Sequence, residues 1–154
     1  MNKVRIVKYR PALGDDFKRI SYQWIDQYFG IEAQDRALLE NHFDKIIAPG
    51  GDILFAMANE KVVGTCALIK YNDELYELAK MGVDEAYQGQ KIGRKLAEAI
   101  LERAKELGAK KVFLESSQQL EAALALYHKL GFRPDPSLEV SPFSRCNVQM
   151  ALNL

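Results

Sequence analysis

The feature that most constrains the fold is a short turn, Gln88-Gly89-Gln90-Lys91-Ile92-Gly93, between an apolar segment and the longest amphipathic pattern of the chain. Residues 74–83 are predicted to form a strand, and residues 92–107 repeat apolar side chains at helical spacing. A helix that begins directly after such a turn directs its free backbone N–H groups and its positive dipole end at one point. The sequence therefore predicts a phosphate or pyrophosphate site here.

Two residue types in this turn support that interpretation. Gly89 and Gly93 have no Cβ, so a ligand or a neighbouring backbone can approach them closely. Lys91 and Arg94 add positive charge beside the turn. A turn of this kind is also typical of a purely structural connection between a strand and a helix, and the hexapeptide alone leaves both interpretations open.

Hydrophobic periodicity and turn signals predict a mixed α/β (α+β) domain in the order β-α-α-β-β-β-α-β-α-β-β. That order gives a mostly antiparallel sheet of about seven strands flanked by four helices. The predicted strands cover residues 4–9, 53–58, 61–71, 74–83, 111–115, a segment starting at Phe132, and 143–152, and the predicted helices cover about 15–29, 34–47, 92–107 and 119–130. A loop is expected over residues 134–142.

Composition narrows the class of partner. The chain of 154 residues is 48% hydrophobic, which suits a single domain over residues 1–154. Its 21 basic and 21 acidic side chains balance, so neither nucleic acid nor a membrane is the expected partner, and a small molecule is. The separated Cys66 and Cys146 and the separated His42 and His128 have no metal-ligand spacing, so we expect no metal. A reducing cytoplasm is the expected location.

Two motifs resemble those of the GNAT superfamily of N-acetyltransferases, small bacterial type. Gln88 and Gly93 match the outer positions of its motif A, whereas Lys91 stands at a position where that motif has glycine. The segment Ala123-Leu124-Ala125-Leu126-Tyr127-His128-Lys129-Leu130-Gly131-Phe132 resembles motif B, and Met81-Gly82-Val83 resembles the strand that pairs with pantetheine. Lys91 must then take a strained backbone conformation or a different turn.

The resemblance implies acetyl-CoA as acetyl donor, with no metal, and cofactor-binding residues at Met81, Gly82, Val83, Gln88, Gly89, Gln90, Lys91, Ile92, Gly93, Arg94, Ser116 and Lys129. Tyr127 occupies the position of the tyrosine that faces the CoA sulfur, although a tyrosine on a helix face can also be a core residue. A backbone N–H at a bulge near Gly82 would hold the thioester carbonyl. Leu120 replaces a motif B asparagine, so one hydrogen bond to pantetheine is either lost or supplied by Ser116, Ser117 or Gln119.

The resemblance also implies residues on the acceptor side. Glu77 is the candidate base, and strict alternation along the strand places it on the same face as Met81. An ordinary solvated carboxylate is the alternative for Glu77. Glu115 is a second candidate base or a partner for the acceptor ammonium. Arg145 is expected to meet a carboxylate of the acceptor, or else to be a surface arginine.

The predicted function is acetyl transfer to a primary amine of a small molecule or peptide, by direct attack in a ternary complex. The alternative is an acyl-CoA-binding sensor that has kept the fold and lost efficient catalysis, motivated by Lys91 and Leu120. Many members of the family form homodimers, so a homodimer is compatible with the resemblance.

Overall fold

The computed structural model describes residues 3–139 and 141–154. The strands are β1 (Val4–Lys8), β2 (Asp52–Ala58), β3 (Lys61–Lys70), β4 (Leu75–Val83), β5 (Lys111–Ser116), β6 (Arg133–Pro134) and β7 (Val148–Asn153). The helices are α1 (Gly14–Tyr28), α2 (Ala33–Glu40), α3 (Ile92–Glu106) and α4 (Glu121–Lys129). The predicted class, a mostly antiparallel seven-stranded sheet with four helices, is confirmed.

The seven strands form one sheet in the order β1-β2-β3-β4-β5-β7-β6. All neighbours are antiparallel except β4 and β5, which run parallel. This parallel pairing extends only from Leu75 to Glu77 on β4, opposite Lys111 to Phe113 on β5. Beyond Glu77 the two strands no longer pair, so the middle of the sheet opens into a cleft.

Two apolar clusters cover the two faces of the sheet. Leu96, Ile100 and Ala104 of α3 pack with Leu78 and other strand residues on one face. Phe17, Ile20 and Ile25 of α1 pack on the other face with Leu39 of α2 and Phe55 of β2. β2 is buried along its whole length because both faces of that strand are covered. Helices therefore cover both faces of the sheet that contains the cleft between β4 and β5.

The second predicted helix, 34–47, is interrupted. α2 ends at Glu40, and a separate π-helical turn spans Phe43–Ile47. Asn41 separates them with φ −117° and ψ 33°, and its side-chain amide donates a hydrogen bond to the carbonyl of Ala37 at 2.9 Å. Asparagine competes in this way for helix carbonyls, which accounts for the break that apolar periodicity did not predict.

The last strand was predicted to cover residues 143–152, and the predicted beginning is wrong. β7 starts at Val148, and residues 141–147 form a bent segment instead. Side chains stabilise this segment: the Ser141 hydroxyl accepts from the Phe143 N–H at 3.1 Å, and the Asn147 side chain accepts from the Gln118 N–H at 3.0 Å. The predicted loop 134–142 includes residue 140, which lies outside the described residues.

Candidate active site

The turn before α3 contains two residues in the left-handed region of backbone conformation. Gly89 and Lys91 both have positive φ, 82° and 62°, and Lys91 is the residue that immediately precedes the helix. The first turn of α3 contains no acidic residue, and the Lys91 side chain does not cap it. The free N–H groups of α3 are therefore available to a ligand. Of the two alternatives for Lys91, a strained conformation or a different turn, the residue adopts the strained left-handed conformation, at a cost on the order of 1 kcal/mol.

Gly93 leaves space at the same place. A Cβ added there would meet only the Met81 and Leu126 side-chain ends, at 3.8 and 3.9 Å. By contrast, a Cβ on Gly82 would lie 2.4 Å from the Trp24 ring. Gly93 is thus open to a ligand, whereas Gly82 has no side chain because Trp24 fills that space.

A groove of about 840 Å³, here called the turn groove, runs from this turn along β4 to α4. Its lining includes most of the predicted cofactor residues: Met81, Gly82, Val83, Gln88, Gly89, Lys91, Ile92, Gly93, Arg94, Ser116 and Lys129. Gln90 is exposed and is not among the lining residues. Ile92 is buried and also packs in the core, so it contributes to both the groove and the fold.

Tyr127 lies where the groove meets the core. It is 6% exposed, lines the turn groove, and packs edge-on against Phe132 with ring centroids 5.9 Å apart. Tyr127 is therefore both a core residue and a residue that lines the turn groove. Burial raises the pKa of the phenol, and the nearby Cys66 thiol adds to the effect. The phenol of Tyr127 is consequently protonated at neutral pH, so its hydroxyl is able to donate a hydrogen bond.

A β-bulge lies at Lys80 and Met81, which together stand opposite Cys66 of β3. Lys80 has φ 52°, in the left-handed region. The bulge thus begins earlier than the predicted position near Gly82. It also overturns the prediction that Glu77 and Met81 share a face: Met81 packs with the α3 cluster, whereas Glu77 lines the opposite side. One extra residue in a strand reverses every later side chain.

A second cavity, of about 310 Å³ and here called the carboxylate cavity, lies on the α1 and α2 side of the sheet. Glu77, Glu115 and Arg145 all line it. Six of its lining residues also line the turn groove: Trp24, Ala79, Lys80, Glu115, Ser116 and Leu120. The two spaces therefore adjoin at the cleft between β4 and β5.

The acidic side chains of the carboxylate cavity influence each other. Burial and the negative charge of Glu115 raise the pKa of Glu77 to about 8, and the charge of Lys80 opposes this shift. Glu115 accepts a hydrogen bond from the Gln149 side-chain amide at 3.3 Å. Glu77 is therefore not an ordinary solvated carboxylate, and it exchanges its proton close to neutral pH.

A buried ionic network borders the same cavity, and the sequence did not predict it. Asp35 of α2 is fully buried and accepts hydrogen bonds from Lys80 at 2.7 Å and from both terminal nitrogens of Arg145 at 2.8 and 2.7 Å. Arg145 also bonds Glu32 at 3.0 Å. Burial opposes ionisation of Asp35, but these hydrogen bonds lower its pKa to about 2.

This network corrects the expectation for Arg145. Its side chain is only 9% exposed, so it is not a surface arginine, and its carboxylate partners belong to α2 and the residue before it. Burial lowers the pKa of Lys80, although the bond to Asp35 counters that effect. Both cations lie over the Phe143 ring, at 4.5 and 4.6 Å from its centre. The sequence could not predict that Asp35, Lys80 and Arg145 are in contact, because they lie on three separate segments.

Both histidines lie outside the turn groove and the carboxylate cavity. His42 packs between Tyr9 and Phe17, with ring centroids 5.8 and 5.5 Å away, and His128 is exposed. Within residues 3–139 and 141–154, no cluster of three His, Cys, Asp or Glu side chains could hold a metal ion. No helix in that part of the chain is long and apolar enough to cross a membrane.

Comparison with protein families gives a match over most of the chain. The model of the Acetyltransferase (GNAT) family matches residues 18–132. A mycothiol acetyltransferase of Corynebacterium efficiens is 36% identical over 81 residues, which are 53% of this chain and 27% of that protein. The N-alpha-acetyltransferase RimI of Mycobacterium tuberculosis is 35% identical over 101 residues, which are 66% of this chain and 59% of RimI. The chain thus spans less than two thirds of the length of these relatives.

Solved structures share the whole architecture. An acetyltransferase of the GNAT family from Staphylococcus aureus superposes with a TM-score of 0.87 at 25% identity, covering 98% of this chain and 99% of that one. A GNAT family acetyltransferase from Elizabethkingia anophelis with acetyl-CoA bound gives a TM-score of 0.66 at 19% identity, covering both chains completely. At this low identity the second likeness concerns the fold alone.

Proposed function

Because the chain belongs to the Acetyltransferase (GNAT) family, we propose that it transfers an acetyl group from acetyl-CoA to a primary amine of a small molecule or peptide. The observation that carries this proposal is the meeting of two spaces at one cleft: a groove that starts at a free helix N-terminus, and a cavity lined by two carboxylates. The first suits a pyrophosphate-bearing donor and the second an ammonium-bearing acceptor.

The donor binds in the turn groove. Its pyrophosphate accepts hydrogen bonds from the backbone N–H groups at the start of α3, and Gly89 and Gly93 allow the close approach. Lys91 and Arg94, both exposed beside the turn, add positive charge. The acetyl end reaches the cleft between β4 and β5, where the turn groove adjoins the carboxylate cavity.

Glu77 is the base in this proposal. The acceptor amine must lose a proton to become a nucleophile, and a carboxylate with a pKa of about 8 accepts it far better than an ordinary one. The neutral amine then attacks the thioester carbon, and a backbone N–H at the bulge beside Lys80 and Met81 holds the carbonyl oxygen. As the C–S bond breaks, the electron pair leaves on sulfur.

Tyr127 stabilises the leaving thiolate. Since burial raises the pKa of this phenol, full proton transfer to the thiolate is unfavourable, and donation of a hydrogen bond is the expected role. Nitrogen loses two protons in all: the first passes from the ammonium through Glu77 to solvent, and the second, lost by the nitrogen after its attack, passes to the leaving thiolate and gives the free CoA thiol. Burial raises the pKa of both the Cys66 and the Cys146 thiols. Neither is prepared as a nucleophile, which supports direct attack in a ternary complex.

The test is release of free CoA thiol from acetyl-CoA in the presence of amines, polyamines, amino acids and lysine peptides. We expect turnover with at least one primary amine.

The same assay tests the role of Tyr127. We expect Tyr127→Phe to bind acetyl-CoA but to lower kcat by about 10- to 100-fold. The matched control is Tyr22→Phe, which removes a phenol of α1 that bonds Glu40 and lines neither the groove nor the cavity. Unchanged turnover of Tyr127→Phe would refute its role. Tight acetyl-CoA binding without any acceptor would favour the sensor function instead.

A further inference from the structure

The lining of the carboxylate cavity indicates which kind of amine would bind there. Its walls are largely apolar and aromatic, its buried cations form salt bridges, and its two glutamates do not. We propose that the acceptor is a primary amine on a compact apolar or aromatic body that has no carboxylate of its own. This inference rests on the proposed function and specifies the substrate class at the same site.

The walls argue for an apolar body. Trp24 and Phe29 come from α1 and the residue that follows it, Leu38 from α2, and Tyr71 and Phe143 from the loops beside β3 and β7. A cavity of about 310 Å³ with such walls is at the small end of ligand sites. Aromatic faces attract both an apolar ring and the ammonium that it carries. A compact arylalkylamine would pack its ring against these walls inside the cavity, whereas most of a long peptide would stay outside it.

The cations that border the cavity are already neutralised. Lys80 and Arg145 share Asp35, and Arg145 has a second bond to Glu32, so two positive charges meet two negative ones. Lys45 also lines the cavity, but it is exposed, and its charge is screened by solvent. An acceptor carboxylate would therefore find no unpaired buried cation among the described lining residues.

The acids of the cavity are not neutralised in this way. Glu77 and Glu115 both line it, and neither forms a salt bridge within residues 3–139 and 141–154. Glu77 pairs across the sheet with Phe113, and Glu115 follows two residues later on the same side of β5. Burial and the negative charge of Glu115 both oppose a negative charge on Glu77 and raise the pKa of Glu77 to about 8. One ammonium balances the charge of Glu115.

The test compares two amines that differ by one carboxylate, phenethylamine and phenylalanine, by thiol release and by calorimetric binding to the CoA-loaded protein. We expect phenethylamine to exceed phenylalanine in kcat/KM by on the order of 100-fold, because a carboxylate beside Glu115 is repelled. Glu115→Gln should reduce this ratio to about 10-fold or less. Glu98→Gln, an acid on the exposed face of α3, is the matched control and should leave the ratio unchanged.

Each outcome decides the inference. Equal or better use of phenylalanine, or of a peptide amide that begins with phenylalanine, overturns it while leaving acetyl transfer intact. Selective binding of phenethylamine without turnover supports the acceptor class and counts against the proposed function. Absence of both binding and turnover for phenethylamine overturns the inference, even if another amine is acetylated. A preference for putrescine over phenethylamine also overturns it, because the cavity would then favour a second ammonium over an aromatic ring.

Discussion

Single residues at the cleft have properties that only their surroundings explain. Glu77 lies where β4 and β5 stop pairing, so it is withdrawn from solvent and close to Glu115 at once. Both effects disfavour its charged form and raise its pKa to about 8. The strand that carries Glu77, and a rise of its pKa through burial, could be predicted from sequence. The effect of Glu115 on that pKa could not, because Glu115 is 38 positions away and only the fold brings the two acids together.

The pH dependence of acetyl transfer follows from this shift. Glu77 is protonated and inactive as a base below pH 8, so kcat/KM should rise as pH increases through about 8. Glu77→Gln should remove this rise and lower kcat/KM by about 100-fold. The measurement is a pH–rate profile with Glu74→Gln, an exposed acid just before β4, as control. A profile that is the same in Glu77→Gln and wild type would contradict the role of the base.

Lys91 is the other residue with an unusual environment, since it keeps a left-handed conformation without being glycine. Lys91→Gly and Lys91→Ala both remove its charge and differ in their tolerance of positive φ. The glycine variant should be about 1 kcal/mol more stable than the alanine variant in urea denaturation. Equal stability of the two variants would mean that the turn does not hold this residue in a strained conformation.

Among the helices and strands, a buried network joins three segments that are far apart in the sequence. Asp35 links α2 to the β4 bulge through Lys80 and to segment 141–147 through Arg145. This explains why residues 141–147 leave the sheet: the Arg145 side chain is directed to α2 instead of continuing a strand. Apolar alternation gives no signal for such a bend, so the prediction extended β7 too far.

Removal of the Asp35 carboxylate should lower the stability of the protein. Asp35→Asn leaves Lys80 and Arg145 buried without their common carboxylate, and we expect a loss of about 3 kcal/mol in the free energy of unfolding. Arg94→Gln, which breaks an exposed pair with Glu98, should change it by less than about 0.5 kcal/mol. Urea denaturation of both variants provides the comparison, and an equal effect would contradict the network's importance.

The same network has a defined pH signature. The pKa of Asp35 is lowered from its ordinary range to about 2, so its contribution to stability is fully present above about pH 4. It is lost as pH falls through about 2. The difference in stability between wild type and Asp35→Asn should therefore shrink below pH 4, and a difference that is constant over this range would be inconsistent with the shift.

At the scale of the whole molecule, the sequence predicted the order of elements and the turn before α3 because these depend on local periodicity and on glycine positions. Other features escaped prediction: the break after Glu40, the position of the bulge at Lys80, the buried network at Asp35 and the bend before β7. The break follows a local hydrogen bond of the Asn41 side chain, whereas the others depend on one inserted residue or on contacts between distant segments. The lining of the turn groove was therefore far easier to predict than that of the carboxylate cavity.

In the proposed function, acetyl-CoA spans the turn groove and presents its thioester at the cleft shared with the carboxylate cavity. A crystal structure of the protein with acetyl-CoA would show whether it binds in this way. We expect the pyrophosphate against the backbone N–H groups of residues 88–93, the sulfur beside Tyr127, and the acetyl group facing the cavity that Glu77 lines. A pyrophosphate bound away from this turn, or a thioester remote from both Tyr127 and that cavity, would contradict the account.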